Sequence, residues 1–78
     1  MKTTNIVKQI KDIQDCLSVF EPREINNYLM SLSFNQEFIS LCESFENLDS
    51  LLQESISESY SNCSSVYCTL QSMIDYLS

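Results

Sequence analysis

The chain has 78 residues, with eleven aspartates and glutamates, four lysines and arginines, and a formal net charge of −7. A chain of this length forms one domain at most and buries only about 60% of the surface that its unfolded form exposes, so a monomer is marginally stable. Glycine is absent, which excludes most tight hairpin turns. The composition therefore predicts an all-α protein, a small helical bundle or bent helical hairpin of three to four amphipathic helices.

The charge is distributed unevenly along the sequence. All four cations lie in the first 23 residues, and no lysine, arginine or histidine follows Arg23. The acids after it are Glu24, Glu37, Glu43, Glu46, Asp49, Glu54, Glu58 and Asp75. Because this region cannot neutralise its carboxylates internally, they must face water or a basic partner. This favours protein binding and argues against direct contact with nucleic-acid phosphates.

The first predicted helix covers residues 4–20. Its apolar residues recur at intervals of four and three and form one narrow stripe: Ile6, Ile10, Ile13, Leu17 and Phe20. Lys8 and Lys11 interrupt the apolar segment, which argues against a signal peptide, and no apolar run is long enough for a membrane span. We therefore expect a cytoplasmic protein, in the host cytoplasm if the chain is phage-encoded, with its cysteines reduced.

Pro22 ends this helix and suits the first position of the next, which we predict over residues 22–32. Ser33 and Gln36 match a capping box for a third helix over residues 34–58. Its core stripe is Phe34, Phe38, Leu41, Phe45, Leu48 and Leu52. A break at Asn47 or Asp49, either of which suits a helix cap, is the alternative. The lack of glycine and proline in this span favours continuity.

An unbroken third helix would place four glutamates on the face opposite its core stripe: Glu43, Glu46, Glu54 and Glu58. Ile39 would fall inside this acidic arc and Leu51 at its edge. One interpretation is a solvated helix face. The other is a contact surface, which the absence of a cation four residues after Glu54 or Glu58 and the apolar neighbours both favour.

The segment 55–65 contains six serines, which weaken helix interiors and predict a turn or hinge. Whether residues 34–77 form one bent helix or two is left open. The last helix, predicted over residues 62–77, has the core stripe Cys63, Tyr67, Leu70, Ile74 and Leu77. Its other face is almost uncharged, which fits either a helix sandwiched within its own fold or a contact with a second protein. Tyr76 lies off the core stripe and suits an interface.

The residue types in this sequence argue against a catalytic site or a metal site. Histidine and glycine-rich phosphate loops are absent. On a helix Cys63 and Cys68 would point about 140° apart, so they could not chelate one ion. We predict no enzyme activity, no catalytic residues, no metal site and no cofactor.

We expect the protein to act by stoichiometric protein–protein binding, most concretely as an inhibitor of a nucleic-acid-handling host complex of the phage anti-defence type. The predicted contact residues are Glu43, Glu46, Glu54, Glu58, Ile39, Leu51 and Tyr76. The expected partner is a protein with a basic or apolar groove. The alternative is a structural subunit, adaptor or export chaperone that forms a homodimer or binds a partner helix through its uncharged C-terminal helix.

Overall fold

A computed structural model describes residues 2–78, with side chains from residue 5 onward. Five helices make up this part of the chain: α1 (Lys2–Asp15), α2 (Pro22–Ser33), α3 (Gln36–Ser44), α4 (Leu48–Glu58) and α5 (Cys63–Leu77). The all-α prediction is confirmed. The structure has one helix more than the predicted three to four, because the predicted third helix is divided into α3 and α4.

The C-terminal helix occupies the centre of the fold. It packs against both α4 and α1, while α2 packs on α4 and α3 packs on α1. The single core contains side chains from all five helices, among them Ile10 of α1, Leu29 of α2, Phe38 of α3, Leu52 of α4 and Leu70 of α5. All of these are essentially inaccessible to water. The resulting body measures 30 × 21 × 19 Å.

The first helix ends at Asp15 and not at residue 20 as predicted. Beyond it the amide of Leu17 bonds to the carbonyl oxygen of Gln14, three residues back, instead of continuing the four-residue pattern. This tighter turn still buries Leu17 in the core and packs Phe20 against it. The apolar stripe therefore extends further along the chain than the helix does.

The second helix lies close to its predicted span, and Pro22 is its first residue. The predicted capping box at its far end is wrong. Ser33 is the last residue of α2, and its hydroxyl donates to the Met30 carbonyl oxygen at 2.6 Å. Asn35 caps α3 instead, where its side-chain oxygen accepts hydrogen bonds from the amides of Glu37 and Phe38 at 2.8 and 3.2 Å.

The predicted continuous helix over residues 34–58 is also wrong, because the chain leaves the helical conformation at Phe45. This residue has φ −123° and ψ 92°, and α4 begins after Asn47, as the alternative prediction held. The break lets the Phe45 ring meet the Tyr76 ring edge-on, with centroids 5.3 Å apart, while Leu48 remains fully buried. Long-range packing thus decides where α3 ends.

The turn between α4 and α5 lies at residues 59–62, inside the serine-rich segment. Residues 34–77 therefore form three helices, and not one or two. The buried face of α5 is rotated from its predicted position: Cys63 is exposed and Tyr67 half-exposed, whereas Val66, Thr69 and Met73 are buried. A helix that packs against two neighbours buries a wider face than one apolar stripe.

Candidate protein-binding surface

Two contacts align one flank of α4 with α5. At the end of α4, the Glu58 carboxylate accepts a hydrogen bond from the Thr69 hydroxyl at 3.2 Å. At the other end of the hairpin, Phe45 contacts Tyr76 through their rings. The two helices therefore run antiparallel, and the Thr69 and Tyr76 side of α5 borders the Glu58 side of α4.

Four of the predicted contact residues lie along this border. Leu51, Glu54 and Glu58 follow one another at intervals of three and four residues, a spacing that puts them on one flank of α4. Glu54 is exposed, whereas Leu51 and Glu58 are half-buried. Tyr76 is 39% exposed. The structure thus brings two carboxylates, one aliphatic side chain and one aromatic ring to the same side of the α4–α5 hairpin.

The remaining three predicted contact residues lie elsewhere along the chain. Ile39 and Glu43 are four residues apart on the outward side of α3, and both are exposed. Glu46 lies in the turn between α3 and α4 and is also exposed. Because the helix breaks at Phe45, the four glutamates do not form one straight stripe as predicted. They form two groups, one at the α3–α4 turn and one along α4.

Another acid of this region, Asp49, affects the thiol of Cys42. Burial raises the pKa of its thiol, and the negative charge of Asp49 raises that pKa further. Asp49 belongs to the same stretch as Glu43 and Glu46, in which seven residues contain three carboxylates and no cation. The α3–α4 junction is therefore rich in negative charge.

The neutral side of the C-terminal helix is smaller than predicted. Thr69 is buried, so the outward surface of α5 consists mainly of Ser64, Cys68 and Ser72. Asp75 is the charged residue on this surface. Both polar atoms of the Gln71 side chain form hydrogen bonds: its oxygen accepts one from Gln14 at 3.1 Å, and its nitrogen donates one to Asp75 at 3.0 Å. This surface is uncharged along most of its length.

Among the exposed apolar side chains outside the predicted contact residues are Phe34 and Met30. Phe34, placed in the core by its spacing, is 75% exposed, and Met30 is about half-exposed. Together with Arg23 and Asn27 they recur at intervals of four, three and four residues, so they share the outward side of α2. That spacing was available in the sequence as an alternative to the core assignment of Phe34.

The described residues contain no group of three or more acids and cysteines close enough to hold a metal ion. The four cysteines are free thiols, with Cys63 and Cys68 exposed and Cys16 and Cys42 half-buried. Within residues 2–78, none of the helices combines the length and apolar character that crossing a membrane demands.

No protein family, curated protein or solved structure matches this chain. The surface is therefore interpreted from its own geometry and charge.

Proposed function

We propose that the protein acts by stoichiometric binding to a basic protein partner. The contact surface consists of the two acidic groups and their apolar neighbours: Glu43, Glu46, Glu54, Glu58, Ile39, Leu51 and Tyr76. The observation that carries this proposal is that α3, the following turn and α4 all present carboxylates and that these elements contain no positive side chain of their own. A basic partner would relieve the repulsion among them.

The apolar part of this surface suits binding as well. Interfaces are enriched in tyrosine, and ordered aromatic side chains lose little conformational entropy on binding. Tyr76 is already held by its edge-on contact with Phe45, and half-buried Leu51 lies on the adjoining flank of α4. Together they provide an apolar part of the surface on the side where Glu54 and Glu58 lie.

The size of the molecule is compatible with such a contact. Its accessible surface is 4820 Å², and a standard interface covers about 800 Å² of each partner. The interface would therefore take about a sixth of the surface. A fraction of this small protein's surface is therefore enough for a specific complex.

The most specific form of the proposal concerns a partner whose basic groove otherwise holds nucleic acid. Occupying that groove would inhibit a nucleic-acid-handling host complex, which is the anti-defence role predicted from the sequence. Because the glutamates form two groups instead of a straight row, we propose competition for a basic patch and not imitation of a duplex, whose charges are regularly spaced.

A matched pair of charge variants tests the proposal. The first variant changes Glu43, Glu46, Glu54 and Glu58 to glutamine. The control changes four acids outside this surface, namely Asp15, Glu21, Glu37 and Asp75, to their amides. Both variants have the same net charge of −3, so non-specific attraction affects them equally.

The affinity of each variant is measured by calorimetry against a partner captured from host lysate with the wild-type protein. Exposed ion pairs contribute about 0.2–1 kcal/mol each, so we expect the first variant to bind roughly tenfold more weakly or worse. The control should bind nearly as tightly as wild type. Equal losses in both variants would show that net charge alone drives binding, and no loss in the first would remove the acidic surface from the proposal.

A second candidate function is self-association, or binding of a partner helix, through the outward side of α5. It is favoured by the small uncharged side chains of Ser64, Cys68 and Ser72 and by the half-exposed ring of Tyr67 beside them. Light scattering separates the two functions, since this one predicts a dimer that persists in high salt, whereas electrostatic binding weakens as salt screens it.

A further inference from the structure

A groove between α1 and α2 has a chemistry that neither surface above includes. One end is a hollow of about 250 Å³ lined by Asp12, Ile13, Cys16, Phe20 and Tyr28. A second hollow of similar size shares Asp12, Ile13 and Tyr28 with it and continues along α2 to Asn35. The two form one continuous depression. The volume of each hollow lies below the range of about 300–1,000 Å³ typical of sites for drug-sized ligands, which suits a single side chain.

The aromatic part of this groove is held in place by the fold. Phe20 packs against the core, and its ring centroid lies 5.4 Å from that of Tyr28, with the ring planes inclined by 48°. Tyr28 is nevertheless 45% exposed. An accessible aromatic surface supported from below attracts cations through the negative face of its π system.

The charged part of the groove is the carboxylate of Asp12, which lines both hollows. Glu24 lies one turn before Tyr28 on α2 and is exposed, so it adds negative charge at this side. Lys8 lies one turn before Asp12, and both line the neighbouring depression, but Lys8 does not line the aromatic end. Asp12 and the aromatic rings therefore meet in one hollow that no lysine lines.

We propose that this groove binds an arginine side chain of a basic protein partner. The aliphatic stem would lie against Ile13 and Cys16, the guanidinium plane would stack on the aromatic pair, and its N–H groups would donate to Asp12. A guanidinium is planar, weakly hydrated and able to stack and pair at once, which a lysine ammonium does less well. A purely apolar side chain would cover the Asp12 carboxylate without giving it a partner.

This inference depends on the proposed function only in requiring a basic partner. Its test uses the whole chain, labelled with ¹⁵N, and a defined probe, the blocked tripeptide acetyl-Ala-Arg-Ala-amide, titrated by NMR. Matched probes replace the arginine with citrulline, which keeps the shape and removes the charge, or with lysine. We expect saturable shifts at the amides of Ile13, Cys16, Phe20 and Tyr28 with the arginine probe, weaker binding with lysine, and no saturable shifts with citrulline.

Variants separate the groove from general charge attraction. Asp12→Asn and Tyr28→Leu should each weaken binding of the arginine probe about fivefold or more, while Tyr28→Phe, which keeps the aromatic face, should retain it. Asp15→Asn, an exposed acid on the same helix, should bind as wild type does. The variant with glutamine at Glu43, Glu46, Glu54 and Glu58 should also bind the probe normally.

Three results would overturn the inference: equal binding of the arginine and citrulline probes, equal losses from Asp12→Asn and Asp15→Asn, or arginine-dependent shifts confined to α3 and α4. The last result would leave the proposed acidic contact surface intact. Loss of partner binding by the four-glutamine variant has no bearing on the groove, so the two proposals fail separately. Lysine binding as tight as arginine binding would overturn the choice of arginine.

Discussion

The side-chain amide of Asn26 in α2 donates a hydrogen bond to the Ser59 hydroxyl oxygen, 3.0 Å away at the end of α4. The same nitrogen donates to the Ile56 carbonyl oxygen at 3.3 Å. Ser59 is buried, and its hydroxyl also donates to the Ile56 carbonyl at 2.7 Å. Asn26 therefore satisfies polar groups where the last turn of α4 meets α2.

Replacing Asn26 with alanine should lower the free energy of unfolding by about 1–2 kcal/mol, because the buried Ser59 hydroxyl and the Ile56 carbonyl lose a partner. The next residue is a matched control: Asn27 is exposed, and Asn27→Ala should change stability by less than about 0.5 kcal/mol. Urea denaturation followed by circular dichroism measures both. Similar values for the two variants would mean that the link from Asn26 to α4 adds nothing.

Two phenylalanines four residues apart should respond oppositely to truncation. Phe38 is 1% exposed and belongs to the core, whereas Phe34 is 75% exposed. Phe38→Ala should destabilise the protein by about 3–5 kcal/mol, enough to unfold a marginal domain, because it leaves a cavity. Phe34→Ala should change stability by less than about 0.5 kcal/mol. A large loss from Phe34→Ala in thermal or urea unfolding would restore its sequence-based assignment to the core.

Two asparagines at helix starts should differ in the same way. The side chain of Asn62 accepts hydrogen bonds from the Ser64 and Ser65 amides at 3.0 and 3.3 Å, whereas that of Asn47 makes no capping hydrogen bond. Asn62→Ala should therefore cost about 1 kcal/mol of stability. Asn47→Ala should cost distinctly less in the same denaturation experiment, and the reverse order would contradict the cap assigned to Asn62.

The four thiols should react with iodoacetamide at different rates. Cys63 and Cys68 are exposed, whereas Cys42 is half-buried and has a raised pKa, so it holds less of the reactive thiolate near neutral pH. Peptide mapping by mass spectrometry after brief alkylation at pH 8 should find Cys42 modified more slowly than either exposed cysteine. Asp49→Asn should speed the reaction of Cys42 and leave that of Cys63 unchanged.

The same raised pKa makes stability depend on alkaline pH. The folded protein holds the Cys42 proton more tightly than the unfolded chain does, so this contribution is complete below the ordinary thiol pKa of about 8.5 and is lost as the pH rises through the folded value. Wild type should therefore lose more stability between pH 7 and pH 10 than Cys42→Ala does. Parallel losses in denaturation curves would show that Cys42 adds nothing to the pH dependence.

Much of the local structure could be predicted from the sequence. The buried residues of α2 are Ile25, Leu29 and Leu32, and their intervals of four and three residues can be recognised in the sequence. Pro22 marked the start of the helix. Both signals depend only on helical periodicity and on the fixed geometry of proline. The serine-rich segment likewise contains the turn before α5. The candidate residues for binding could be selected in the same way, since charge is a property of composition.

Periodicity was misleading where distant parts of the chain compete for a side chain. Phe34 and Phe45 continue the apolar pattern of one long helix, yet the chain turns at both places. The turn at Phe45 is stabilised by the contact of its ring with Tyr76, thirty-one residues later, and by the burial of Leu48. A helical wheel contains neither contact.

The sequence by itself determined that the protein is helical, acidic and without cations after Arg23, because helix periodicity and charge are local properties. Only the tertiary structure decided that α5 lies between α1 and α4, that the glutamates divide into two groups, and that Asp12 meets Phe20 and Tyr28 in one groove. These arrangements depend on which helices pack together, and packing is set by the shapes of whole faces at long range.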